Sequence, residues 1–323
     1  MTSPRLFHRR FISLEALTAL AVFHFVCSAG NAAETPAAVQ PPSPAEVTGL
    51  YFGQQPPAHG AAVFAPGLVS LPRGEGEFAE RPVFSPDGRE CFFDVTDYKT
   101  KTFTSVAMRC ENGVWSKPEP AFFSRNGGFQ ASIAPDGQTL YFAGPSPTDP
   151  KVRGIWMSQR ESSGWADPVF LHPPVNTAAG AGFPCAVRDG ALYYFVLSGS
   201  DKGLHRAPRV DRHFSRAETV PAFQPRSNCI FGDFFVAPDE SYLVIYSTLP
   251  DNLGNGELYV SFRNADGNWT APRNLGPEVN TQGYDFAPSL SPDGQYLFFT
   301  RDVPGDTGKV YWISTAEFRP HNP

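Results

Sequence analysis

The phrase Phe286-Ala287-Pro288-Ser289-Leu290-Ser291-Pro292-Asp293-Gly294-Gln295-Tyr296-Leu297-Phe298-Phe299 constrains the chain most, because it returns four times upstream in altered form. It reads as a β-hairpin: a short apolar-alternating run, a Pro-Asp-Gly turn, then an aromatic run. Proline fixes one φ, aspartate bonds back to the backbone, and glycine accepts φ > 0. The other copies are Phe84-Ser85-Pro86-Asp87-Gly88, Ile133-Ala134-Pro135-Asp136-Gly137, Ala186-Val187-Arg188-Asp189-Gly190 and Val236-Ala237-Pro238-Asp239-Glu240. Successive turn aspartates lie 49, 53, 50 and 54 residues apart. Such a period means stacked supersecondary units rather than five independent domains. The five aspartates are accordingly read as scaffold.

After each turn comes an apolar run, as in Cys91 to Val95 and Tyr242 to Tyr246, which suits a strand buried on both faces. A third strand follows, for example Gly154 to Ser158 and Val310 to Ser314. A fourth begins at an aromatic residue: Trp115, Trp165, Phe214 or Trp269, with Pro118, Pro168 and Pro272 behind three of them. Proline late in the repeat fits an outer strand, where a missing N–H costs little. Four strands per repeat is the pattern of a β-propeller blade. The fifth copy stops after three strands, whereas Val63 to Ser70 precedes the first copy and resembles Thr270 to Gly276. The expected fold is therefore all-β, a propeller of five four-stranded blades whose N-terminal strand completes the last blade. Leu50 to Gly60 leaves a sixth blade open as the alternative.

Ser-Pro-Asp-Gly followed by an aromatic strand, preceded by Asn268-Trp269-Thr270-Ala271-Pro272-Arg273-Asn274-Leu275-Gly276-Pro277-Glu278-Val279-Asn280-Thr281, resembles the WD40-like "PD40" repeats of the TolB-type propeller family. The resemblance spans about residues 61–318. The third copy departs from it at Arg188, in place of proline, and the fourth at Glu240, in place of glycine. It implies a periplasmic propeller that binds proteins or cell-envelope ligands around its central channel. Most members carry six or more blades, and the N-terminal domain of TolB itself has no counterpart here, so the role of TolB in envelope translocation is not carried over.

Residues 1–33 read as an export signal: Arg5, Arg9 and Arg10, an apolar run from Leu14 to Val26, then small residues through Ala33. Residues 34–46, rich in Ala and Pro, read as a flexible linker, which leaves residues 47–320 for the propeller. A periplasmic or secreted protein is expected, with no membrane span once the signal is removed. Beyond that signal stand 23 Lys and Arg against 31 Asp and Glu. An acidic surface excludes a nucleic-acid partner, whose phosphates need a basic footprint.

Four cysteines remain, an even number in an oxidising compartment. The spacing of Cys91 and Cys110 about a hairpin centre near Thr100 and Lys101 suggests one disulfide, and Cys185 with Cys229 a second across neighbouring repeats. The alternative is four buried thiols.

In a propeller the innermost strand and the segment leading into it line the channel. Expected ligand-binding residues there are Glu80, Arg81, Gln130, Asp233, Tyr284 and Asp285, with Asn126, Asn176, Asn228 and Asn280 read either as site amides or as turn formers. The favoured function is a non-catalytic binding or scaffold protein of the cell envelope, monomeric, whose partner is an envelope protein or a small or oligosaccharide ligand at the channel mouth. The alternative is a carbohydrate-active hydrolase or lyase, with Glu80, Asp233 and Asp285 as its catalytic carboxylates. There is no G-x-S-x-G elbow, no H-E-x-x-H and no phosphate-binding glycine loop, so neither metal nor cofactor is expected. Asp251 to Glu257 reads as a solvated hairpin tip rather than a calcium loop.

Overall fold

The computed structural model describes residues 47–71, 77–97, 99–225, 229–250, 254–303 and 306–319. The signal and linker segments, Asn228 and Asp251 to Leu253 lie outside the described residues.

Five antiparallel sheets follow one another along the chain as the blades of a β-propeller. The inner strands are Glu77–Phe84, Phe129–Ile133, Ala181–Ala186, Phe231–Val236 and Tyr284–Leu290. Each turns at its aspartate into a second strand that is mostly buried, such as Leu192–Val196. Burial on both faces explains the unbroken apolar runs. The turns use the expected chemistry: the Oδ1 atoms of Asp87, Asp136, Asp189, Asp239 and Asp293 each accept the N–H two residues on.

The ring closes as the sequence requires. Ala62–Val63 pairs antiparallel with the third strand of the last blade, Asp306–Ser314, with Ala62 opposite Trp312. No sixth blade forms among the described residues. Instead Leu50–Gly53 makes one tight turn whose aromatic rings fill the seam between blades 5 and 1. Tyr51 lies edge-on to Phe84 and Trp312, and Phe52 to Trp115, with centroids 4.7 to 5.8 Å apart. Tyr51 and Phe52 both adopt φ > 0, a costly conformation for bulky residues that this packing holds in place.

The outer strands differ from expectation. The aromatic residue heads a short hairpin with the end of the third strand, as Val114–Trp115 and Gly164–Trp165 show. Pairing then lapses at the proline and resumes further along, at Glu119–Pro120 and Val169–Phe170. Proline thus marks a break between two halves of the outer strand.

Neither expected disulfide is present, and Cys91, Cys110, Cys185 and Cys229 are free thiols. The first hairpin closes at Asp97 and Thr102, which sets Cys91 opposite Met108 and leaves Cys110 two residues out of register. Cys185 accepts the N–H of Val236 at 3.2 Å, while Cys229 lies against Ser247.

A second repeat emerges that residue type had concealed. In every blade a polar side chain beyond the outer strand clamps a fully buried residue of the third strand. Ser124 accepts from Ser105 N, Asn176 bonds both N and O of Ile155, and Gln224 donates to Leu204 O. Asn280 bonds both N and O of Leu258, and Ser70 does the same to Val310. The last clamp comes from the N-terminal segment, so ring closure is fixed by a side chain as well as by a strand. Asn176 and Asn280 are therefore structural; Asn126 sits exposed in a short 3-10 turn.

Candidate functional site

Every inner strand carries a β-bulge near its middle, between Glu80 and Val83, Phe129 and Ser132, Gly182 and Cys185, Phe231 and Phe234, and Phe286 and Ser289. Four of the bulges hold a non-glycine residue at φ between 51 and 58: Arg81, Gln130, Phe183 and Ala287. Bulges re-aim side chains and recur beside sites. Strain of this kind costs about 1–3 kcal/mol per residue. Inner strands begin at one end of the channel and reach their turns at the other, so the bulges form one strained ring between the mouth and the turns.

Arg81 crosses the channel from this ring. Its Nη2 donates to the carbonyls of Pro184 in blade 3 and Phe234 in blade 4, at 3.4 and 3.3 Å. The residue is only 5% exposed, yet Nε and Nη1 have no hydrogen-bond partner. Two acids lie within electrostatic reach. Asp94 accepts from Ser105 Oγ and from Gln130 N, the latter at 2.9 Å, and burial raises its pKa against the pull of those bonds and of Arg81. Burial also pushes the Asp233 carboxyl up to about 6, with Arg81 opposing the shift and Asp94 adding to it. Gln130 closes the ring by accepting Phe183 N through Oε1 at 3.1 Å.

Above this cluster two further groups flank the mouth. The Arg153 guanidinium lies 4.3 Å from the centre of the Phe129 ring and 6.0 Å from that of Phe103, and burial lowers its pKa to about 10. Across the channel Tyr284 stands opposite Asp302 in the hairpin register. Burial raises Tyr284 to about 12, and Tyr246 feels the charges of both Tyr284 and Asp233.

Of the residues expected at the mouth, the structure brings together Arg81, Gln130 and Asp233. Glu80 stands opposite Asp94 in the blade 1 register, beside this cluster. Tyr284 lies near the rim. Asp285 is turned away: it is fully buried, its Oδ1 pairs with Arg301 Nε at 2.9 Å, and its Oδ2 accepts from the N and Oγ1 of Thr281. One oxygen is thus committed to the second strand of blade 5 and the other to the segment joining blades 4 and 5. Of the expected trio of Glu80, Asp233 and Asp285, Asp285 is engaged by Arg301, which stands opposite it in the hairpin register.

Asp94, Arg153 and Tyr246 were missed. Asp94 and Tyr246 each lie seven residues after their turn aspartate. A carboxylate inside the apolar run Cys91-Phe92-Phe93-Asp94-Val95 was a readable signal. Arg153 carried none.

At the turn end, a cleft of about 170 Å³ lies between blades 2 and 3, lined in part by Asp136, Tyr141, Arg188 and Arg209. Arg209 donates there to Tyr141 Oη at 3.2 Å. Among the described residues no group of three or more His, Cys, Asp or Glu side chains gathers to hold a metal ion. No helix among them is long and apolar enough to cross a membrane.

No protein family and no curated protein matched the chain. Solved structures similar to it include regucalcin, a calcium-binding protein from Agrobacterium tumefaciens, at 14% identity and a TM-score of 0.40 over 74% of this chain and 92% of that one. The β-propeller domain of the Trilobed protease from Pyrococcus furiosus is similar at 13% identity and a TM-score of 0.35, over 74% and 69%. A prolyl endopeptidase matches at 14% identity and a TM-score of 0.37 over 71% of this chain, which spans only 32% of that protein. At such identities the likeness concerns fold alone.

Proposed function

We propose that this protein is an exported, non-catalytic binding or scaffold propeller of the cell envelope, taking its ligand at the channel mouth. The observation that carries this reading is Arg81, a buried cation with unpaired N–H groups ringed by Asp94, Gln130 and Asp233. A fold gains nothing from a buried donor left unpaired, whereas a binding site does. The resemblance of the repeat to PD40 repeats, which implies envelope binding, supports the same reading.

Ligand-observed NMR screening of small envelope metabolites and short oligosaccharides tests it. Hits on the wild-type protein should vanish in Asp233→Ala; hits that persist would move the site elsewhere.

One observation favours the catalytic alternative, namely an Asp233 carboxyl near pKa 6 beside a second acid. A hydrolase or lyase would then use Asp233 with Asp94 rather than Asp285. Sugar released from polysaccharide by the wild type and not by Asp233→Asn would establish that reaction and displace the binding role.

A further inference from the structure

The guanidinium of Arg81 carries five N–H groups. Its Nη2 uses two of them, on carbonyls of blades 3 and 4. The remaining three, one on Nε and two on Nη1, face no acceptor. The acids nearest to it act on it through space without forming an ion pair. Asp94 spends its oxygens on Ser105 and Gln130 instead.

A second arginine, Arg153, lies alongside this ring. A Cβ built on Gly182, in the blade 3 bulge, would lie 3.7 Å from both Arg153 Cδ and Gln130 Oε1, which puts Arg153 beside the Gln130 that borders Arg81. The partners of Arg153 are aromatic faces rather than a carboxylate. Thus, among the described residues, two arginines that form no ion pair lie along one stretch of channel, and one of them has three N–H groups without an acceptor.

We propose that the channel site takes a carboxylate, held by the unpaired N–H groups of Arg81 and flanked by Gln130 and Arg153. The inference rests on the channel-mouth reading above. An acceptor-only group with two oxygens and a single negative charge meets donors of this kind through charge-assisted bonds. A neutral sugar hydroxyl accepts more weakly from these charged donors than a carboxylate does. A phosphate dianion would crowd a second negative charge against Asp94 and Asp233. The carboxylate can come from a peptide C-terminus or from a uronic acid, and the two sources share this chemistry.

Amide NMR of perdeuterated full-length protein separates these outcomes. The probes are galacturonate against galactose, a dipeptide acid against its C-terminal amide, and inorganic phosphate. Free acids should shift the amides of Arg81, Gln130, Arg153 and Gly182, while the neutral partner of each pair leaves them in place. Arg81→Gln should weaken acid binding by at least about tenfold, since a charge-assisted contact is lost. Mapping on the wild type keeps the test decisive should that variant fold poorly. If neutral partners shift the same amides as strongly, the channel site stands and the carboxylate assignment falls. Tighter binding of phosphate than of either acid also overturns it. If no probe moves these amides, the carboxylate assignment falls, and the channel-mouth reading is decided separately by the screen of envelope metabolites and oligosaccharides.

Discussion

The two ends of the inner strands treat polar groups in opposite ways. At the turn end, charge is matched. Glu240, which stands where the other copies have glycine, takes φ 58 and accepts from Tyr193 Oη at 2.5 Å, Arg206 Nε at 2.8 Å and Arg263 Nη1 at 2.7 Å. Burial pushes its pKa up, but the bonds from Arg206 and Tyr193 outweigh burial and leave it lowered. Glu90 likewise joins blade 1 to Arg160 of blade 2. Around the bulges, by contrast, Arg81 is buried and incompletely bonded, Asp94 and Asp233 are pushed toward neutrality, and four residues sit in a strained conformation. Local rules satisfied at one end and broken at the other mark where stability gives way to function.

Four substitutions sharpen or break this contrast, all read by denaturant or thermal unfolding. Glu240→Ala should cost most, about 2–3 kcal/mol, because Arg263 loses its carboxylate partner and Arg206 keeps only Asp189, in a half-buried setting. A cost below about 1 kcal/mol would reduce the turn-end network to ordinary surface pairs.

Asp233→Asn should have the opposite sign. Its folded pKa is about 6 against an ordinary 3.8, so the native state holds the proton more tightly, and wild-type stability falls as pH rises between those values. Above that window the variant should be more stable by about 3 kcal/mol, and below it the two should coincide. A pH-independent difference would contradict the assignment of a raised pKa.

Asn280→Ala should cost about 2 kcal/mol by leaving the buried N–H and C=O of Leu258 without their side-chain partner. The Leu258 carbonyl keeps the Leu275 N–H at 3.1 Å, so the loss falls mainly on the Leu258 N–H. The smallest effect is expected for Ala287→Gly, a gain of about 1 kcal/mol from relief of φ 51. A loss there would show that the blade 5 bulge is not strained.

What the sequence made legible follows from the range of each interaction. The turn aspartates bond two residues away, so their chemistry is written in five consecutive letters and the blade count follows. Ring closure was legible because the missing outer strand and the spare one share a pattern. The clamps were not, because Ser124, Asn176, Gln224, Asn280 and Ser70 differ in type while doing the same work. The site was half legible. Arg81, Gln130 and Asp233 fall at bulges, where position relative to the turn is informative. The reach of Arg81 to carbonyls 103 and 153 residues away could be seen only in the folded ring. The partner of Asp285, Arg301, was not legible, because it is set by hairpin register rather than by distance from the turn.

The clamps also carry a message about time. In four blades the clamping side chain lies 19 to 22 residues from its target, close enough for each blade to be locked as soon as it has been synthesised. In the fifth, Ser70 must wait for Val310, 240 residues later. Loop-closure entropy makes so distant a contact slow to form. The earliest strand and the latest therefore meet last, and until they do the half-built ring exposes two unpaired edges to its neighbours.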